Sequence, residues 1–236
     1  MHRPVIGILL DYESKGSFST RPHYALRTHY FEAIWKAGGS PVALPYIKSA
    51  VNSYISICDG LLFPGGFYPF PESIYSHSSK EIAINHPRFN FEKRLMKAAL
   101  NKDLPILGIC AGMQAIAALH GCKLYRNIID ESSSNFDHLN TAPAEKVSHE
   151  ITITDDTILS KILGVKKLKV NSAHSEGIKT TTADLIINAI AADGIIEGVE
   201  LKNYQFCLGV QWHPEFFTND DDPQFNLFKS LVDFSK

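Results

Sequence analysis

The chain has 236 residues, 44% of them hydrophobic, and a formal net charge of -2 with acids and bases interspersed throughout. This is enough apolar material for the core of an ordinary soluble α/β enzyme, and one domain spanning residues 1–236 is the simplest count. The mixed charge leaves no basic stripe to track nucleic acid, and no segment reaches the about 20 apolar residues that cross a bilayer.

Pro4 to Asp11 is a short run rich in Val, Ile and Leu that suits a buried parallel strand. It follows Met1 with no charged leader or cleavage site, so a cytoplasmic protein is expected. From Tyr24 the residues Leu26, Tyr30, Ala33, Ile34 and Ala37 recur at helical spacing up to the stop at Gly38 and Gly39. Ser40 to Pro45 reads as a strand, Ser49 to Ile57 as a short helix, and Gly60 to Phe63 as a third strand ending in Pro64, Gly65 and Gly66. Phe67 to Phe89, with Pro69, Pro71 and Pro87 and little periodicity, reads as a long loop of the kind that often serves function. A helix is predicted over Phe91 to Asn101, a strand over Leu104 to Ile109 and a helix over Gly112 to His120.

Beyond Gly121 the pattern changes. Glu145 to Thr154, Leu185 to Ala191 and parts of Ile195 to Leu201 alternate apolar and polar residues, as antiparallel additions do. Phe206 to Trp212 is a late core strand and Pro223 to Phe234 a terminal helix. The expected fold is therefore α/β, a mostly parallel central sheet flanked by helices, with an antiparallel addition after residue 121.

Of the four cysteines, Cys58, Cys122 and Cys207 sit in apolar runs without CxxC pairing, so the cysteines suggest neither a zinc site nor a disulfide framework. Cys110 differs. Gly108-Ile109-Cys110-Ala111-Gly112 turns an apolar strand directly into a helix, the cysteine form of a nucleophile elbow. The glycines permit a sharp turn and clear space for a substrate carbonyl, while the helix N-terminus favours thiolate over thiol. A base is required, and His213 closes the late core strand in Gln211-Trp212-His213-Pro214-Glu215. In an α/β sheet the carboxyl ends of the strands share one edge, so His213 and Cys110 can meet there. Pro214 favours extended backbone at His213, and Glu215 two residues on can orient the imidazole. Gly65 and Gly66 end the third strand, where backbone N–H groups with that of Ala111 can face a developing oxyanion.

A Pro-Gly-Gly turn, a Gly-Ile-Cys-x-Gly-Met-Gln elbow and a late Gly-Val-Gln-Trp-His-Pro-Glu, in this order, resemble class I glutamine amidotransferase-like proteins. Thr28 to Pro45, Lys169 to Ile178 and Ala192 to Glu200 narrow the likeness to the γ-glutamyl-γ-aminobutyrate hydrolase group, the peptidase C26-like branch, across nearly the whole chain. The resemblance implies a flavodoxin-like three-layer fold and a Cys110 nucleophile, a His213 base and acid, and a Glu215 orienter. It implies oxyanion donors at Gly65, Gly66 and Ala111, and a γ-glutamyl thioester that water resolves to glutamate, with no metal or organic cofactor. Gln114, Asn171, Ser172 and His174 are assigned to substrate binding or support of the site, a hydrogen-bonded core histidine being the alternative for His174. Three places depart from the family pattern: Ala111 where a bulkier residue is common, the segment from Asn85 to Asn90, and Glu176 where glutamine is common. The expected partner is a small γ-glutamyl substrate. A homodimer and a separate synthetase partner stay open, as do the readings of an ammonia-supplying glutaminase subunit and a catalytically silent regulator.

Overall fold

The computed structural model describes residues 3–75, 86–139 and 142–236. The first half of the chain runs β1 (Val5–Leu9), β2 (Asp11–Glu13), β3 (His23–Ala25), α1 (Thr28–Lys36), β4 (Ser40–Leu44), α2 (Val51–Ile57), β5 (Gly60–Phe63), α3 (Pro87–Leu100), β6 (Ile106–Ile109) and α4 (Ala111–Leu119). The second half adds β7 (Lys123–Tyr125), α5 (Ile128–Glu131), β8 (His149–Ile153), α6 (Ile158–Leu163), β9 (Lys167–Val170), β10 (Gly177–Thr180), β11 (Leu185–Ala191), β12 (Ile196–Leu201), β13 (Cys207–Val210) and α7 (Asn226–Phe234).

The main sheet has the order β4-β1-β5-β6-β13-β12-β11-β8-β9. Its first five strands are parallel, and from β12 onward each neighbour is antiparallel. β10 bridges β12 to β7 outside this path, and β2 pairs with β3 in a separate antiparallel ribbon. Of the parallel strands, β1, β5, β6 and β13 are buried on both faces, which is why they read as continuous apolar runs, whereas β4 at the edge is only partly covered. Alternation sends Leu62, Leu107 and Ile109 to one face with Tyr30, Ala33, Ile34 and Phe228, and Leu61, Phe63 and Ile106 to the other with Leu95, Met96 and Ile116. This mostly parallel sheet between two layers of helices is the expected fold, with the antiparallel part following residue 121.

Two differences bear on function. The predicted loop Phe67 to Phe89 is shorter than read: α3 begins at Pro87, with the His86 ring accepting a hydrogen bond from the Arg88 N–H at 3.3 Å. Proline there is a helix first-turn residue rather than a loop marker. Residues 76–85 of that loop, including Asn85 of the departing segment, lie outside the described residues. The first strand also ends earlier than read, and Asp11 belongs to the β2-β3 ribbon. No helix among the described residues is long and apolar enough to cross a membrane.

Candidate active site

Cys110 is the residue between β6 and α4, and its backbone holds φ 51° and ψ -108°. A positive φ is costly for a residue with a Cβ and persists only where the surroundings enforce it. Here the Cys110 N–H is fixed to the Val210 carbonyl at 2.8 Å, so the elbow is anchored to β13. The flanking glycines have a packing reason rather than the substrate-clearance reason expected. A Cβ on Gly108 would lie 2.7 Å from the Gly112 carbonyl carbon, and one on Gly112 would lie 2.1 Å from the Phe63 oxygen. Only bare backbone lets α4 start this close to β5 and β6.

β13 is the parallel neighbour of β6, with Val210 opposite Ile109, so both chains leave the sheet on the same edge. Three residues beyond Val210, His213 comes to lie beside Cys110, close enough for the sulfur to act on the ring's protonation. The His213 Nδ1 donates to Glu215 Oε1 at 2.8 Å. A 3₁₀ turn over Pro214–Phe216, and not strand alternation, brings Glu215 back to the ring. All three groups are nearly inaccessible, Cys110 and His213 at 5% and Glu215 at 1%. Burial alone would lower the His213 pKa, but the Glu215 and Cys110 charges and their hydrogen bonds outweigh it and push it up to about 10. At neutral pH the ring is therefore an imidazolium between a carboxylate and a sulfur, an arrangement able to hold a thiolate and to deliver a proton.

Tyr30, read from the sequence only as an apolar position of α1, ties this group to the glycine turn. Its hydroxyl accepts the Gly65 N–H at 3.1 Å, lies 3.5 Å from His213 Nδ1 and stands within the electrostatic reach of Glu215. Burial and the Glu215 charge hold the phenol well above its ordinary range, so it remains a donor. The Gly65 N–H is thus already used, and of the two glycines expected as oxyanion donors Gly66 is the one whose N–H is unengaged among the described residues. Ala111, as the first residue of α4, also has an N–H with no intrahelical acceptor. Gly65 still has to be glycine, because a Cβ there would lie 2.6 Å from His213 Cε1.

Arg88 is the second residue missed as functional. Its fully buried guanidinium donates to the Gly65 carbonyl at 3.0 Å and to the Pro64 carbonyl, and it meets Asp11 at 3.2 Å and Glu92 at 3.6 Å. A fork of donors on two successive carbonyls fixes the orientation of the turn. The sequence signal was available in part, since Arg88 and Glu92 stand at i and i+4 on one helix.

The remaining predicted residues divide. Gln114 and His174 line a cavity of about 280 Å³ beside Cys110, together with Gly66, Tyr68 and Glu176. The Gln114 amide nitrogen is fixed by the Glu176 carbonyl and Gln211 Oε1, both at 3.1 Å. Asn171 is spent on His213: its Oδ1 accepts the His213 N–H at 2.8 Å and its Nδ2 donates to the His213 carbonyl at 3.0 Å. Asn171 therefore supports the base. Ser172 is buried and its hydroxyl donates to the His138 carbonyl at 2.7 Å. A second cavity, of about 340 Å³, meets Cys110 and His213 from the other side and is lined by Asp11, Glu13, Arg27, Tyr30 and Gly66 among others. Cys110 thus borders two compartments.

The chain is 34% identical to a glutamine amidotransferase-like protein of Rickettsia prowazekii, over 99% of this chain and 98% of that one. It is 30% identical to the γ-glutamyl-γ-aminobutyrate hydrolase of Escherichia coli, over 98% of this chain and 93% of that one. Among solved structures, the glutaminase domain of Trypanosoma brucei CTPS with bound acivicin superposes with a TM-score of 0.67 at 17% identity, covering 98% of this chain and 93% of that one. A glutamine amidotransferase of Thermotoga maritima gives a TM-score of 0.63 at 15% identity, covering 100% of this chain and 97% of that one. At such identities the superpositions speak for the fold. The peptidase C26 family profile matches residues 4–215, and the chain belongs to that family of glutamine amidotransferase-like hydrolases.

Proposed function

We propose that this enzyme hydrolyses a γ-glutamyl amide through a thioester on Cys110, with γ-glutamyl-γ-aminobutyrate and related γ-glutamylated amines as the substrate class. The observation that carries the reading is the buried Cys110–His213–Glu215 chain placed where two cavities meet. The γ-glutamyl half occupies the compartment of Gln114 and Glu176, and the amine half the compartment of Arg27 and Tyr30. The Cys110 sulfur adds to the γ-carbonyl, and the Gly66 and Ala111 N–H groups receive the oxyanion. As the C–N bond breaks, the His213 imidazolium gives its proton to the departing amine and a thioester is left. Water then enters, His213 takes its proton, the C–S bond breaks, and glutamate leaves as the thiolate is restored. Glu215 keeps the ring oriented and stabilises its charged form throughout.

The test is a panel of γ-glutamyl amides, with glutamine included, offered to the wild type and to Cys110→Ala, and glutamate release measured. Release by the wild type alone is expected, and acid-quenched enzyme should carry one glutamyl residue on Cys110 in its intact mass. Equal release by both proteins overturns the assignment. Turnover of glutamine alone, dependent on an added synthetase, would make the chain an ammonia-supplying subunit instead.

A further inference from the structure

Behind the loop that follows β9, three histidines surround one buried carboxylate. His138 Nδ1 and His149 Nε2 each lie 3.3 Å from Glu197 Oε1, and His174 Nε2 lies 3.5 Å from the same oxygen. His138, His174 and Glu197 are 1%, 2% and 0% exposed, and each places a ligand atom within 4.8 Å of the others. The outward nitrogens of two rings are already committed. The His174 Nδ1 donates to the Glu176 carbonyl at 2.9 Å, an acceptor that has no proton to give, and the His138 Nε2 donates to Asp193 Oδ2 at 2.9 Å.

Those bonds fix the tautomers. His174, when neutral, then turns a bare Nε2 lone pair inward against a carboxylate oxygen that is itself only an acceptor, and His138 Nδ1, which also has the Ser172 hydroxyl at 3.4 Å, faces the same oxygen. Lone pairs do not converge in a dry interior without a cation among them. Protons on the rings are poorly placed to fill that role, because His174 Nε2, both nitrogens of His149 and both oxygens of Glu197 make no hydrogen bond of acceptable geometry among the described residues. The spacing suits a metal. Bonds of about 2.0–2.1 Å at tetrahedral angles set neighbouring ligand atoms about 3.3–3.4 Å apart, close to the 3.3 Å of His138 Nδ1 and the 3.5 Å of His174 Nε2 from Glu197 Oε1. An outward N–H held by a carboxylate or a backbone carbonyl is the usual support of a metal-bound imidazole.

The geometry points to a structural divalent-cation site, with Zn²⁺ the best match, held by His138, His174 and Glu197 and leaving a fourth position for water. The donors are nitrogen and oxygen atoms of buried side chains, of which His174 alone also lines the cavity beside Cys110, so the ion has a fastening role. It would join the segment after α5 (His138), β12 (Glu197) and the loop 171–176. That loop carries Asn171, which holds His213, and Glu176, which walls the first cavity.

The test uses the full chain in a Cys110→Ala background, so that the active-site thiolate takes no metal, dialysed against a chelator and titrated with Zn²⁺. About one tightly held ion per chain is expected, with a rise in Tm, and Co²⁺ in its place should show the intense visible bands of a tetrahedral site. His174→Gln and Glu197→Gln should lose the ion. Asp193→Asn, which of the proposed ligands touches only His138, at its outward nitrogen, and otherwise meets the Ser134 hydroxyl and the Ile195 N–H, should weaken it by about 10- to 100-fold. A folded protein that takes up no ion overturns the proposal. So does uptake that is undiminished in Asp193→Asn and in whichever of the other two variants folds.

Discussion

The two halves of the main sheet do different work. The parallel half, β4-β1-β5-β6-β13, delivers the groups proposed to react: the glycine turn after β5, Cys110 after β6, and His213 with Glu215 after β13. The antiparallel half supplies no reacting group, yet its loop 171–176 grips the backbone of His213 and closes one cavity. Chemistry is thus concentrated at the carboxyl edge of parallel strands, where several chain ends are forced together. Alignment and substrate shape are set from strands that only need to lie alongside.

The largest effect expected from this division is at Cys110. Cys110→Ser should retain the fold by circular dichroism and lose about 10⁴-fold or more in kcat, and substantial remaining turnover would move the chemistry out of the parallel half. Arg88→Leu should come next. It leaves Glu92 buried without its cation and frees the Pro64 and Gly65 carbonyls, at a cost of about 3–5 kcal/mol in denaturant titration. A loss below 1 kcal/mol, on the scale of an exposed ion pair, would show that the turn holds itself.

Asn171→Ala probes the other half. It strips partners from the buried His213 N–H and carbonyl, so stability should fall by about 1–3 kcal/mol and kcat should drop with little change in KM. A rise in KM alone would instead place Asn171 on the substrate. The smallest effect is expected at Glu176, which receives a Tyr75 hydroxyl bond at 2.8 Å. Burial raises its pKa to about 7 against the lowering by Tyr75 and Arg126. The carboxyl is neutral below that pH and resembles the glutamine common in the family, and above it the added charge opposes a carboxylate-bearing substrate. KM should therefore rise as pH climbs through 7, by up to about tenfold between pH 6 and 8, and Glu176→Gln should make KM independent of pH there.

The same division governs what was legible in the sequence. Strands such as Gly60–Phe63 and Ile106–Ile109 announce themselves because double burial leaves an unbroken apolar run, and the elbow at Cys110 follows from a strand meeting a helix without a loop. The short elements β7, α5, α6 and β10 were not anticipated, since three to six residues are too few to display a period. Within the site, the triad residues were brought together as read, while Tyr30 and Arg88 were missed as contributors. Tyr30 fits its apolar stripe, and only the need of a buried hydroxyl for partners hints at more. His138, His149, His174 and Glu197 are spread over four segments, so no local spacing could have collected them.

The grip of Arg88 on Gly65 reaches further than posture. The carbonyl it holds at 3.0 Å belongs to the same peptide unit as the Gly66 N–H, the group proposed to receive the oxyanion. A cation drawing electron density toward that oxygen increases the partial double-bond character of the unit and leaves its hydrogen more positive, a cooperative gain of about 10–30% per bond. The residue that anchors the turn thereby also sharpens it as a donor, through resonance in a single amide and without approaching the substrate.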